Sequence, residues 1–246
     1  MTYLFFDIEC ANSFGGIGKM CSFGYCLCDQ DFSIIESEDI LMNPDAAFDW
    51  YLFSKNARCR LSYGREEYQR HDKFPGFYER IRNLLEEKDR LIVGFGCQND
   101  VATIATECIR YDMELIDFKC GDIHPALEKF YDMKGGLGSF VEKLEINTLG
   151  MEFHDSRADA FFTMKAAERL ARDSKKHLPE ILSPRTPFSS RELRKSKIKK
   201  LYANYLERKN SGKDAGGKAG RSLKKVNVPQ WFDYRRELLF EIESQK

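Results

Sequence analysis

What this 246-residue chain lacks narrows it first. No run of about 18 apolar residues occurs, so no membrane-spanning helix is expected. The opening residues lack a basic stretch followed by an apolar one, so no secretory signal is read there, and the expected location is cytoplasmic. There are only four histidines, and the eight cysteines contain no C-x-x-C pair, which argues against a structural zinc site. The cysteines (Cys10, Cys21, Cys26, Cys28, Cys59, Cys97, Cys108, Cys120) all lie in the first half, several inside apolar runs such as FGYCLC. They read as reduced, buried thiols. Gly15, Gly16, Ile17 and Gly18 lack the Lys and Ser/Thr of a P-loop and read as a flexible turn. No internal repeat is found.

Net charge is also absent, but only in sum. From Ser183 onward there are 17 Lys/Arg against seven Asp/Glu, which leaves 22 bases and 32 acids in the preceding part. An acidic front suits a site that demands cations, and a basic back suits a polyanion or is simply a solvated segment. The apolar fraction of 42% is adequate for a packed core.

Residues 3–9 (YLFFDIE), 20–29 and 32–42 read as three strands joined by short connections, which implies an antiparallel meander. The signal is poor from about 43 to 75, with 48–53 a short helix. Residues 76–88 have helical period, with Phe77, Ile81, Leu84 and Leu85 on one face. Then come a short apolar strand (90–96), a helix (99–112) with Val101, Ile104 and Ile109 facing the core, and a fifth strand (113–120). Ser139 and Glu142 have the spacing of a capping box, which starts a helix near Phe140. Residues 158–174 form a helix rich in Ala, Leu, Met and Arg. Three strands followed by alternating helix and strand give an α/β or α+β layer fold around a mixed sheet. Three prolines between Pro179 and Pro187 mark a boundary, after which a basic helix (191–209), a Gly/Lys-rich linker (210–222) and a short closing helix are expected.

The feature that needs explaining is LFFDIEC. In a strand, Asp7 and Glu9 point to the same face, where two like charges repel and neither is desolvated without cost. Magnesium or manganese would answer this, since both prefer carboxylate oxygens; a solvated strand end would answer it equally well. Asp100 follows the apolar strand, where Asn99 or Asp100 also suits a helix N-cap. Asp155 or Ser156 can cap the last helix, which places Asp159 in its first turn and His154 just before it. An imidazole and a carboxylate then face one point beyond the helix N-terminus.

FFDIEC, GFGCQND and HDSRADA, in this order and spacing, resemble the three exonuclease motifs of the DEDDh family. Those motifs are D-x-E on the first strand, an Asp after the fourth, and H-x-x-x-x-D entering a late helix. The resemblance spans roughly residues 1 to 172. It implies a ribonuclease H-like fold, a mixed five-stranded sheet flanked by helices, to which the residues themselves add the basic helical C-terminal extension. The exonuclease domain would cover residues 1–178 and the extension 179–246. It also implies that Asp7, Glu9, Asp100 and Asp159 hold two divalent cations, Mg²⁺ or Mn²⁺, and that His154 is the general base. The activity implied is 3′–5′ hydrolysis of phosphodiester bonds at single-stranded ends of DNA or RNA. The chemistry agrees, because two cations about 3.5–4 Å apart serve an in-line displacement and histidine titrates near neutrality.

The chain departs from the common family pattern at Cys10, which follows Glu9 where Thr is frequent, and at Phe95 and Gly96, where a His-Asn pair is usual. These departures bear on how the terminal nucleotide is gripped. Phe14 is the candidate by position for stacking on it. The basic extension lies outside the resemblance. Within its cluster, Arg194, Lys195 and Lys199 are candidate phosphate contacts, with Tyr202 and Tyr205 placed to stack on bases or to dock the helix. The rival readings are a non-catalytic nucleic-acid-binding module with the same fold, and an adaptor whose basic helix meets a membrane or a protein. The sequence leaves a homodimer open.

Overall fold

The computed structural model describes residues 1–12, 18–54, 57, 59–182 and 188–189, with the side chains of 109, 188 and 189 excepted. Apolar residues alternate along β1 (Thr2–Cys10) so that both faces of the strand are covered. Leu4, Phe6 and Ile8 enter one core, and Tyr3 and Phe5 enter the other. A strand covered on both sides belongs at the centre of a sheet. β1 pairs antiparallel with β2 (Met20–Cys28) and parallel with β4 (Arg90–Gly94). β2, buried along its whole length, pairs antiparallel with β3 (Ile34–Leu41), which completes the expected meander. β5 (Lys119–Asp122) runs parallel to β4. The two-residue β6 (Phe188–Ser189) extends the five expected strands, giving the order β3-β2-β1-β4-β5-β6.

One face of the sheet carries α2 (Phe74–Glu86) and α3 (Gln98–Arg110), whose apolar sides supply Phe74, Tyr78, Ile81, Leu84, Leu85, Val101, Ile104 and Cys108 to the first core. Phe77 packs at the edge of this core. The opposite face carries α4 (His124–Tyr131), α5 (Leu137–Lys143), α6 (Ser156–Ser174) and α7 (Leu178–Leu182), which build the second core. All eight cysteines are free thiols, six of them buried. No helix among the described residues is long and apolar enough to cross a membrane.

Several local expectations change. The fifth strand is shorter and later than 113–120, because Met113–Phe118 spends its backbone elsewhere: the Asp117 N–H donates to Glu86 and the Glu114 carbonyl accepts from Tyr78. Ser139 and Glu142 lie inside α5, which starts at Leu137 after Gly136 with no side-chain cap, so the capping box does not form. Residues 48–53 hold only a 3₁₀ turn, Trp50–Phe53. The weak stretch after it nonetheless contains α1 (Arg65–Arg70), whose one buried residue, Tyr68, joins Leu41, Phe48, Leu52 and Leu61 in a small third core. α4 also escaped notice, since only Leu127 of its eight residues is buried. Expected features from residue 190 onward, including the basic helix, lie outside the described residues.

Candidate functional site

β1 and β4 are parallel neighbours from which the chain departs in opposite directions, β1 to β2 and β4 to β5. In open α/β sheets the carboxyl ends at such a point leave a crevice. Asp7 and Glu9 stand at this end of β1, paired in register with Gly24 and Ser22 of β2, and the ladder shifts register between Glu9 and Cys10. Such an irregularity bends the strand and re-aims the side chains beside it.

Gly24 determines what can stand over this end. A Cβ at position 24 would lie 2.0 Å from the carbonyl carbon of Ser156 and 2.1 Å from the nitrogen of Arg157. The bare backbone therefore admits the first turn of α6 directly onto β2. Asp155 caps that turn, accepting from the Ala158 N–H at 2.9 Å. His154 precedes the cap in a left-handed conformation, φ 65°, which turns its N–H back to donate to Asp159 Oδ2 at 3.1 Å. The Ser62 hydroxyl donates to the His154 carbonyl at 3.3 Å, tying the third core to the same corner.

The result is a compact acidic group. Ligand atoms of Glu9, His154 and Asp159 lie within 4.8 Å of one another, and His154 Nδ1 is 3.7 Å from Glu9 Oε1. Burial pushes the Asp7 carboxyl well above the ordinary range, and the charges of Asp100, Glu9, Asp159 and Asp39 push it further the same way. Burial also raises Glu9, against the pull of His154. Asp159 is raised to about 7, chiefly by burial and partly by Glu9, although the His154 N–H opposes the shift. Asp159 Oδ1 is buried with no hydrogen-bond partner among the described residues. Carboxylates that hold one another above their normal pKa, with an orphaned oxygen among them, fit a divalent cation.

Of the residues expected from the sequence, Asp7, Glu9, His154 and Asp159 come together, and Asp100 joins them as the strongest charge acting on Asp7. Asp100 lies within the first turn of α3, which begins at Gln98, so neither it nor Asn99 is the cap. Phe14, Arg194, Lys195 and Lys199 lie outside the described residues. Phe95 stacks on His124 with ring centroids 4.2 Å apart. Sequence reasoning missed Asp39 on β3, a fifth carboxylate beside the group whose pKa burial raises to about 6. Only the strand register reveals it, by aligning Asp39 with Gly24 and Gly24 with Asp7.

No protein-family model matches the sequence, and no curated protein does. Solved structures do match the fold. The nuclease domain of 3′hExo, a DEDDh family member bound to rAMP, superposes with a TM-score of 0.61 at 15% identity, over 72% of this chain and 94% of that one. Cell-death related nuclease 4 (CRN-4) gives 0.58 at 15% identity, over 70% and 64%. Escherichia coli Exonuclease I in complex with a dA16 oligonucleotide gives 0.58 at 17% identity, covering 74% of this chain but only 42% of its own length. The chain thus has the ribonuclease H-like fold of the DEDDh exonucleases.

Proposed function

We propose that this chain is a metal-dependent 3′–5′ exonuclease that removes nucleotides from single-stranded 3′ ends. The observation that carries the reading is the convergence of Asp7, Glu9, Asp100, Asp159 and His154 at the open end of β1. Asp7, Glu9, Asp100 and Asp159 would hold two divalent cations, Mg²⁺ or Mn²⁺. When bound, these supply the charge that activates the attacking water and stabilises the leaving oxygen of a phosphodiester. Within the protein, His154 removes the proton from the attacking water. Its side chain is 38% exposed beside Glu9, so it can reach solvent and substrate while the carboxylate orients its ring. Asp159 fixes the backbone of His154, and the cap at Asp155 fixes Asp159. A bare polyanion-binding surface would be impaired by such clustered carboxylates, which favours catalysis over binding alone.

The fold likeness supports a nuclease, and its neighbours include structures bound to an oligodeoxynucleotide and to a ribonucleotide. The test uses 5′-labelled DNA and RNA oligonucleotides with Mg²⁺ or Mn²⁺. Products shortening stepwise from the 3′ end, with loss of activity in Asp7→Ala and His154→Ala, are expected. Absence of metal-dependent cleavage, or full activity in Asp7→Ala, would refute the assignment.

A further inference from the structure

We propose that Asp39 is a positioning residue: through Ser156 it locks the first turn of α6, and with it His154 and Asp159, onto β2. Register aligns Asp7, Gly24 and Asp39 in one row across β1, β2 and β3. Paired residues of neighbouring strands share a face, so the two carboxylates flank the bare glycine onto which α6 descends. Ser156, wholly buried, is the residue that lands there.

The hydrogen bonds give this contact a direction. Ser156 Oγ donates to Asp39 Oδ1 at 2.7 Å, and the Ser22 and Ser156 hydroxyls are 2.8 Å apart. A hydroxyl has one proton and an ionised carboxylate none, so Ser156 spends its proton on Asp39 and Ser22 donates to Ser156. The chain Ser22–Ser156–Asp39 therefore runs from the register partner of Glu9, under the helix, to β3. Ser156 sits two residues after His154 and three before Asp159, so a shift of this serine moves both.

Asp39 is electrostatically ill-placed otherwise. Its charge adds to those already raising Asp7, and its Oδ2 is buried without a hydrogen-bond partner among the described residues. Its contribution is the short, charge-assisted bond to Ser156. A site of this kind tolerates only about 0.5 Å of misplacement, so a clamp on the helix that carries two of its groups acts on turnover more than on substrate binding.

For its catalytic readout the proposal rests on the nuclease reading; for its metal readout it does not. The full-length chain and the variants Asp39→Ala, Asp39→Asn, Ser156→Ala and Asp39→Ala/Ser156→Ala are compared for Mn²⁺ affinity by calorimetry and for kcat and KM on a labelled oligonucleotide. Circular dichroism verifies folding. Asp39→Ala and Ser156→Ala should each lower Mn²⁺ affinity and kcat by about 10- to 100-fold, with KM changed by less than about threefold. The double variant should be no worse than the poorer single, because both remove one bond. Asp39→Asn, whose amide oxygen can still accept from Ser156, should recover most of the loss. Multiplying losses in the double variant, equal failure of Asn and Ala, or single variants indistinguishable from wild type would each overturn the clamp. Should alanine at 39 fail to fold, Ser156→Ala and Asp39→Asn decide the question alone. A wild-type chain that binds Mn²⁺ but cuts nothing would refute the nuclease reading, while the Mn²⁺ affinities would still test the clamp.

Discussion

Asp159 turns one carboxylate oxygen to the backbone N–H of His154, 3.1 Å away, and keeps the other buried without a hydrogen-bond partner among the described residues. This asymmetry makes the residue costly to the metal-free fold and useful to a metal-loaded one. Asp159→Asn should therefore raise the metal-free melting temperature by a few degrees, since it removes a desolvated charge facing Glu9. The same variant should lose at least about a hundredfold in cleavage, the order expected when a group essential to charge stabilisation is removed. Thermal melts without metal and an oligonucleotide assay with Mn²⁺ measure both. A variant that melts lower than wild type while keeping activity would contradict this account.

The pH dependence follows from the same carboxyl groups. Asp159 and Asp39 have folded-state values of about 7 and about 6, both above the ordinary aspartate value. A raised acid favours the fold fully below its unfolded pKa, and that contribution is lost as pH climbs through the folded pKa. Metal-free protein should accordingly lose stability from about pH 4 to about pH 7, before any alkaline transition. Millimolar Mn²⁺ should cancel the loss at the upper end, because binding to the ionised carboxylates stabilises the folded state. Melting temperatures across this range, with and without metal, test the sign. A metal-free stability that rises over the same interval would be incompatible with the site described.

Gly24→Ala gives a purely steric test. The added methyl would stand 2.0 Å from backbone of α6, a contact no side-chain rotation can relieve. The helix must lift from β2, taking His154 and Asp159 away from Asp7 and Glu9. Activity should fall by more than about a hundredfold, with a destabilisation of roughly 1–3 kcal/mol in denaturant titration, as for other overpacked interiors. Alanine tolerated at this position with full activity would mean that the helix does not rest there.

The central strands and long helices were legible because burial leaves strong periodic patterns, as in Tyr3 to Ile8 and Phe161 to Leu170. Asp7, Glu9, His154 and Asp159 were legible because each lies beside a recognisable strand or helix end. Asp39 was not: its neighbours Glu36 and Glu38 make it look like one more charge on an exposed edge strand, and only the three-strand register reveals its role. The short α1 and α4 each bury a single residue, too little to leave a period. The Ser139–Glu142 spacing misled because Gly136, in an extended conformation, already begins the helix a turn earlier.

Trp50, 79% exposed, sits on a turn bound to the residue beyond Cys10 by the Asp49 N–H, which donates to the Ala11 carbonyl at 2.8 Å. The same segment reaches His154 through Ser62. An exposed indole on a turn tied to the chain just beyond β1 is suited to stack on an unpaired base, worth about 1–3 kcal/mol. Trp50→Ala should therefore raise KM for single strands by about tenfold while the loss in kcat stays small. Unchanged KM for both DNA and RNA would remove Trp50 from the substrate path.

The basic C-terminal part makes a separate prediction about salt. With 17 Lys/Arg against seven Asp/Glu from Ser183 onward, it should neutralise phosphates along a bound strand. Truncation must spare β6, since Phe188 pairs with Cys120 and Ser189 with Lys119, so a cut after residue 190 is preferable to one at 183. Charge removal is gentler still: Arg194→Gln, Lys195→Gln and Lys199→Gln combined should lower the slope of log Kd against log salt by about two, near 0.7 per lost contact on a single strand. Three glutamines placed at Lys88, Lys134 and Lys143 provide a control of equal charge change. Equal slopes for the two triple variants would show that the C-terminal charges act only through net charge, and not as contacts to the strand.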